Sequence, residues 1–470
     1  MKKCIGKLKI FYKQFLKKVE DMESVLFRKV TDIPIFLGTR QNNHTKCKII
    51  RQTVKKASLS RFASSRNTNV SPSCGSVPHK MSDVRICLVT DTLCDANGVS
   101  RFIQDIAHCA IETKHTFLVL CATKKGYCHI LPNMQIFNPS IAIRMPFYHE
   151  LDLVLPPFLK LYRAIKTFSP DIIHIATPGI TGWMALWIAK RLNLPVTGTY
   201  HTDFPAYLHS NTGRQWIYHL STYCLKRFYN PFSSIFIRSE VYRQKLREEL
   251  GFSSENILTI PPGIDTKKFD PKFCNRSYWH QYRIPSNAKI LLYIGRISVE
   301  KNIHFLTELF SRLQKDPSLD TKNVHLVLVG SGAFVEKIAK LHIPNLHLLG
   351  HKGGLELSTI YASSDIFLFP STTDTLGQVV IEAMASGLPV IASDQGGPKT
   401  IIGTDAKVGY TLDIHQPNLW KTKLYELVTN DTLRIQLAQN AHQKASLMQI
   451  EKSFHFWWEQ SAKMVYADTH

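Results

Sequence analysis

The chain has 470 residues, 44% of them hydrophobic, with 23 Gly and 23 Pro. That is ordinary for a globular protein, leaves room for two or three domains with large cores, and excludes wholesale disorder, a collagen and a coiled coil. The net charge of +22 suggests a nucleic-acid partner until its placement is read: residues 1–80 hold 18 Lys+Arg and 4 Asp+Glu, against 20 and 15 in 81–270 and 20 and 17 in 271–470. The excess belongs to an N-terminal extension. The rest is mildly basic and carries no nucleic-acid motif, so no nucleic-acid partner is expected.

In residues 1–20, Ile5, Leu8, Phe15, Leu16 and Val19 recur at helical spacing among seven lysines. Such a helix suits an anionic membrane surface; a solvated tail is the plainer reading. Residues 57–80 are rich in Ser, Asn and Pro, lack acidic residues and read as a linker with some transit-peptide character. Met81 precedes the first convincing strand and is itself a candidate start of translation, and no secretory signal pattern is found. The ten cysteines form no CxxC pair, which argues against a zinc or redox motif. Reduced thiols in a cytoplasmic protein, bound at most peripherally to the inner face of a membrane, are expected.

From residue 84 on, short apolar runs alternate with helical periodicity. Val84–Val89, Phe117–Leu120, Ile172–Ile175 and Val196–Thr199 read as buried strands, with a helix over Val99–Ile111. The stretch 172–189 is the nearest approach to a membrane span, but His174, Pro178, Gly179 and Gly182 make it strand, turn and helix. A second series follows: Ile290–Ile294, Val324–Val329, Leu346–Leu349, Ile366–Phe369 and Val390–Ala392 as strands, with helices from Asn302 and over Leu376–Ala385. Continuous apolar strands alternating with helices indicate parallel sheets covered on both faces. The expected fold is α/β, with two doubly wound Rossmann-like domains facing a cleft. The domains are placed at 81–275 and 276–447, with a polar hinge near 271–287. A final helix, 448–470, carries Phe454, Trp457, Trp458 and Tyr466 and packs either on its own domain or back on the first.

The richest segment runs from Pro370 to Pro389. Asp374 and Glu382 stand eight residues apart around a loop containing Gly377, after the strand DIFLF and at the start of a helix. Free N–H groups at a helix start attract an anion, and carboxylates beside them hold hydroxyls. A sugar phosphate or ribose would suit the set. Capping by Asp374 and solvent exposure of Glu382 would explain the same residues structurally.

This segment resembles the C-terminal signature of the family 4 glycosyltransferases, retaining enzymes of the GT-B fold. Further matches run in the family's order over about residues 84–466. Thr90-Asp91-Thr92 with Asn97-Gly98-Val99-Ser100 resembles its glycine loop, and Tyr200-His201-Thr202-Asp203-Phe204-Pro205 its acceptor-side histidine segment. Pro262-Gly263-Ile264-Asp265 with Phe269 resembles the interdomain segment. Gly295-Arg296 to Glu300-Lys301-Asn302 resembles the diphosphate-binding segment, Leu328–Gly332 a further turn, and the closing helix a crossover back to the first domain. Asp374 departs from the pattern, since the family most often has Glu there.

The resemblance implies transfer of a hexosyl group from a nucleotide sugar, GDP-mannose or a UDP-sugar, to an acceptor hydroxyl with retention. It implies Arg296 and Lys301 on the donor diphosphate, Glu382 on the ribose, and Asp374 on the transferred sugar. It further implies backbone amides at Gly377, close approach of phosphate at Gly98, and His201 on the sugar or the acceptor. The Asp-Thr-Leu-Gly and Tyr-His-Thr-Asp-Phe-Pro segments are most similar to lipid mannosyl- and sulfoquinovosyltransferases, which points to a lipid acceptor; glycan and small-molecule acceptors stay open, as does a non-catalytic scaffold. The chain contains no Asp-x-Asp, so no metal and no cofactor are expected, with cations and a helix start in their place.

Overall fold

The computed structural model describes residues 83–467 except 96, 126–129, 146–147 and 320, so the basic extension, and with it the amphipathic reading of residues 1–20, lies outside the described residues. The first domain contains β1 (Ile86–Thr90), β2 (Phe117–Ala122), β3 (Met134–Phe137), β4 (Ile141–Met145), β5 (Tyr148–Leu155), β6 (Ile172–Ile175), β7 (Val196–Tyr200), β8 (Ser234–Ile237) and β9 (Ile257–Thr259). Seven of these form a parallel sheet in the order β3-β2-β1-β6-β7-β8-β9, while β4 and β5 pair as an antiparallel hairpin. The second domain contains β10 (Lys289–Ile294), β11 (Val324–Val329), β12 (Leu346–Leu348), β13 (Ile366–Phe369), β14 (Val390–Ser393) and β15 (Gly409–Leu412), in the order β12-β11-β10-β13-β14-β15.

The apolar runs form strands because both of their faces are covered. Every residue of β1, β6, β11, β13 and β14 is buried. In each sheet the strand order reverses beside one strand pair, β1/β6 and β10/β13. Loops leaving the carboxyl ends of such a pair diverge and open a crevice. The segments around Gly98, Arg296 and Asp374 all leave the sheets at these two places.

The chain crosses between domains earlier than the polar composition of 271–287 suggests. Ile260 belongs to the first core and Ile264 to the second. Residues Pro261–Gly263 make the crossing. The expected hinge is instead packed on the second domain: Trp279 is fully buried there and donates from Nε1 to the Ser363 carbonyl at 2.7 Å. Polar residues around one large aromatic disguised a docked turn as a linker. The return crossing lies alongside, since the Ile264 amide donates to Met448 at 3.0 Å and the Ile450 amide donates to Ile264 at 2.9 Å.

Beyond this bridge, the helix Ile450–Ala467 packs on the first domain. Phe454, Trp457, Trp458 and Ala462 share a core with Ile86, Leu88, Phe117 and Phe236. The Trp457 ring meets Phe117 edge-on at 5.6 Å. Burying a side chain of this size contributes roughly 1.5–3 kcal/mol, so the helix ties the second domain's end firmly to the first.

Among the described cysteines, Cys87, Cys109, Cys121 and Cys274 are free, but Cys94 is disulfide-bonded. The expectation of uniformly reduced thiols fails at this loop position, where sequence spacing gives no sign of a pair. The cysteines therefore do not argue for a reducing compartment. Among the described residues, no helix is long and apolar enough to cross a membrane.

Candidate active site

The segment expected to bind diphosphate leaves β10 through Gly295 and forms a tight turn over Val299–Lys301. Lys301 is buried, and its ammonium contacts Asp374 Oδ2 at 2.7 Å. Asp374 comes from the loop after β13, so the ion pair joins the two loops that diverge at the second domain's crevice. Burial by itself would raise the Asp374 carboxyl, but Lys301, with Arg296 behind it, holds it below the usual carboxylate range. Asp374 does not cap the following helix, Gln378–Ala385, whose N-cap is Gly377. Gly377 has φ +77°, and a Cβ there would lie 2.8 Å from Pro398 Cγ, so conformation and packing both require glycine. The same loop is braced from below: the Gly397 amide donates to the Asp374 carbonyl at 2.9 Å.

Glu382 lies on the second turn of that helix, 3% exposed, so its carboxylate does not face solvent. The Tyr361 hydroxyl donates to its Oε2 at 2.9 Å, and Arg101 of the first domain approaches its Oε1 at 3.8 Å. The Glu382 charge in turn raises Arg101 above its ordinary value. Arg101 stands one helical turn after Gly98, which opens the helix Gly98–Glu112. A Cβ on Gly98 would sit 3.6 Å from Gln378 Oε1, an ordinary contact. The protein alone therefore does not require glycine at 98. The contact does show that two helix starts, at Gly98 and Gln378, lie against one another across the crevice. Both present positive dipole ends to the same space.

Arg296 reaches across the crevice as well. Its Nη1 donates to the Tyr207 hydroxyl at 3.1 Å, and that hydroxyl donates to Glu300 Oε1 at 2.6 Å. Ser298 donates to the same oxygen at 2.6 Å. Burial would raise the Glu300 carboxyl, but these two hydroxyls and the Arg296 charge bring it below its ordinary value. Tyr207 comes from the first domain, on the helix Phe204–Thr212, which Asp203 caps by accepting from the Ala206 amide at 3.2 Å.

His201 follows β7 and lies in the crevice, its carbonyl accepting from the Thr375 hydroxyl at 2.6 Å. Its ring packs against Phe102 with centroids 5.6 Å apart. Burial, reinforced by the charge of Arg238, keeps the imidazole well below its ordinary value, hence neutral at pH 7.

The structure thus brings all seven expected residues, Gly98, His201, Arg296, Lys301, Asp374, Gly377 and Glu382, to the facing ends of the two sheets. Sequence reasoning missed Arg101, Tyr207, Tyr361 and the Gly396-Gly397 support. Arg101 was recoverable from its one-turn spacing to Gly98, and Gly-Gly-Pro after β14 is a turn signal. Tyr207 and Tyr361 act through contacts with distant loops, which spacing does not reveal. The arrangement gathers cations, two helix starts and carboxylates around one crevice.

Comparison with known proteins agrees with this geometry. Residues 96–268 match the model of glycosyltransferase family 4, and residues 277–444 that of the glycosyl transferases group 1. The sulfoquinovosyl transferase SQD2 of Arabidopsis thaliana is 32% identical over 291 residues, 60% of this chain, which spans 54% of that protein's length. A GDP-mannose-dependent alpha-mannosyltransferase of Mycobacterium tuberculosis is 28% identical over 71% of this chain and 85% of its own. The alpha-monoglucosyldiacylglycerol synthase of Streptococcus pneumoniae is 28% identical over 66% and 71%. Among solved structures, sucrose-phosphate synthase from Thermosynechococcus elongatus superposes with TM-score 0.65 at 18% identity, over 82% of this chain and all of its own. The chain matches two glycosyltransferase family models in succession, has the GT-B fold, and is a glycosyltransferase resembling lipid glycosyltransferases.

Proposed function

We propose that the protein transfers a hexosyl group from a nucleotide sugar to a hydroxyl of a membrane lipid, with retention at the anomeric carbon. The observation that carries this reading is the convergence of Arg296, Lys301 and two helix starts on one crevice, with Glu382 and Asp374 beside them. A nucleoside diphosphate is the leaving group that such a set would stabilise, because its charge grows as the sugar–phosphate bond breaks. Arg296 and Lys301 would receive that charge, Glu382 would hold the ribose hydroxyls, and Asp374 with His201 would orient the sugar. The bond from the anomeric carbon to the diphosphate oxygen breaks, and the acceptor oxygen bonds to that carbon on the same face. Its proton passes to the departing phosphate oxygen. The chain's work is positioning, charge stabilisation and exclusion of water by domain closure. No divalent ion is assigned a role, since the cations and helix starts supply positive charge.

The donor nucleotide is GDP or UDP. The first is supported by the mannosyltransferase relatives, whose names specify GDP-mannose. The second is supported only by the fold's likeness to Anabaena HepE in complex with UDP-glucose, at 18% identity and TM-score 0.64. The lipid acceptor is supported by the diacylglycerol-directed relative. A surface feature supports it too. On the helix Gln215–Tyr229, Trp216, Leu220 and Tyr223 form an exposed apolar stripe at positions i, i+4 and i+7, continued by exposed Lys226 and Arg227. An apolar stripe ending in cations suits an anionic bilayer surface.

The test is radiolabelled sugar transfer from GDP-mannose, UDP-glucose and UDP-sulfoquinovose to diacylglycerol in anionic vesicles, with and without EDTA. Transfer from one donor, unchanged by EDTA and inverted in no product, supports the reading. Absence of transfer from every donor, together with absence of donor hydrolysis, defeats it.

A further inference from the structure

The first domain's side of the crevice holds a guanidinium with no partner of its own. Arg238 follows β8 as His201 follows β7. These strands pair in parallel, with Tyr200 opposite Ile237 as their last partners, so His201 and Arg238 emerge side by side at the carboxyl end of the sheet. Arg238 is 4% exposed. Its guanidinium lies over the Phe102 ring at 3.8 Å, and both Nη1 and Nη2 are buried with no hydrogen-bond partner. Asp105, whose charge bears on Arg238, is engaged with Lys268 at 3.7 Å.

An arginine placed in this way is costly to the fold, because buried charges are normally paired. Burial lowers Arg238 to about 9, so it nevertheless remains charged at neutral pH. Phe102 occupies one face of the guanidinium plane and leaves its edges, the directions in which it donates to paired oxygens. The second domain bonds to its neighbours: Thr375 to the His201 carbonyl, and Thr400 to the Ser239 hydroxyl at 3.3 Å. Separation of the domains would uncover Arg238, and their closure would seal it over a ligand.

We propose that Arg238 binds an oxyanion of the substrate, its two unpaired Nη groups donating to two oxygens of a phosphate or sulfonate group. The oxyanion has two possible sources: the donor's own diphosphate, or a further charged group on the acceptor or the transferred sugar. The second is favoured, because Arg296, Lys301 and two helix starts already serve the first. Only this assignment of the diphosphate rests on the glycosyl-transfer reading.

The test uses the full chain and its Arg238→Met and Arg238→Lys variants. Calorimetry measures the affinity for inorganic phosphate and sulfate, alone and at saturating UDP or GDP, and the affinity for each nucleotide. Phosphate binding to the nucleotide-saturated wild type, weakened at least tenfold by Arg238→Met and less by Arg238→Lys, supports the proposal with a further charged group as the source. Loss of phosphate binding on nucleotide saturation, with nucleotide affinity at least tenfold weaker in Arg238→Met, supports it with the diphosphate as the source. The Arg238→Met thermal midpoint should be no lower than that of the wild type, since an unpaired buried charge is gone. Unchanged affinities for both anions and nucleotides in Arg238→Met overturn the proposal, most plainly if the midpoint falls and the residue is thereby structural. Phosphate binding through Arg238 in a wild type that binds neither nucleotide would sustain the proposal while defeating the transfer reading.

Discussion

The two walls of the crevice are built on the same kind of sheet, yet they hold their polar groups differently. On the second domain's wall Lys301 is paired with Asp374, Glu382 with Tyr361 and Glu300 with Ser298. On the first domain's wall the imidazole of His201 is neutral and the guanidinium of Arg238 is unpaired. The contrast suggests a wall organised in advance for one charged ligand, facing a wall completed by what enters. Arg101 and Tyr207 are the exceptions that join them, each reaching from the first wall into the second wall's network.

The comparison breaks first at the second wall if it is wrong. Replacing Lys301 by Ala should lower turnover by about 10²–10³-fold, as loss of a preorganised charge-stabilising donor does. Glu382→Ala should lower it at least tenfold, with little loss of fold. Steady-state kinetics of both variants measures this, and normal activity in both removes the site assignment. Lys301→Ala should also cost stability, on the order of 3–5 kcal/mol if the pair were wholly buried and less here because Asp374 is partly exposed.

A smaller effect tests the joining residues. Tyr207→Phe removes the hydroxyl between Arg296 and Glu300, and loss of a hydrogen bond to a charged group is worth about 1.5–3 kcal/mol. Turnover should fall about 10- to 100-fold, with the second domain's own stability unchanged. A variant as active as wild type would mean that the contact is incidental. Thr375→Val removes one neutral hydrogen bond between the domains and should cost about fivefold, equivalent to about 1 kcal/mol. No change would exclude this contact from closure.

The smallest effect concerns pH. His174 is buried between the Thr197 and Thr199 hydroxyls, and burial pushes its imidazole down to about 3. Its folded value lies below the unfolded one, so between about pH 6.5 and 3 the unfolded chain takes a proton that the folded chain refuses. Stability from this group is therefore complete above pH 6.5 and declines as the pH falls. Ring chemical shifts of His174 and His201 should stay flat from pH 8 to 5. Titration of either near pH 6.5 would contradict their burial.

How much of this was legible beforehand depended on whether meaning lay along the chain or across it. The fully buried strands were readable because both faces demand apolar residues, as in Val324–Val329 and Ile366–Phe369. β3, with Gln135 exposed in its middle, and the three-residue β9 carried too little pattern. The second wall was readable because its residues sit at fixed intervals around loops: Arg296 and Lys301, Asp374 and Glu382. The first wall was not, since Arg238 acquires a role only when β8 aligns with β7 and sets it beside His201. The crossing at Pro261–Gly263 was misplaced for a related reason. A buried tryptophan among polar neighbours reads as linker until its docking partner is known.

The most direct test of the central claim, that the paired wall is a nucleotide-sugar site, is the thermal stability of wild type and Glu382→Ala with UDP, GDP and ADP. A ligand at 100 times its dissociation constant stabilises by about 2.7 kcal/mol. The account predicts that UDP or GDP raises the wild-type midpoint and that Glu382→Ala loses most of the shift. No shift with any nucleotide, or equal shifts in both proteins, would contradict it.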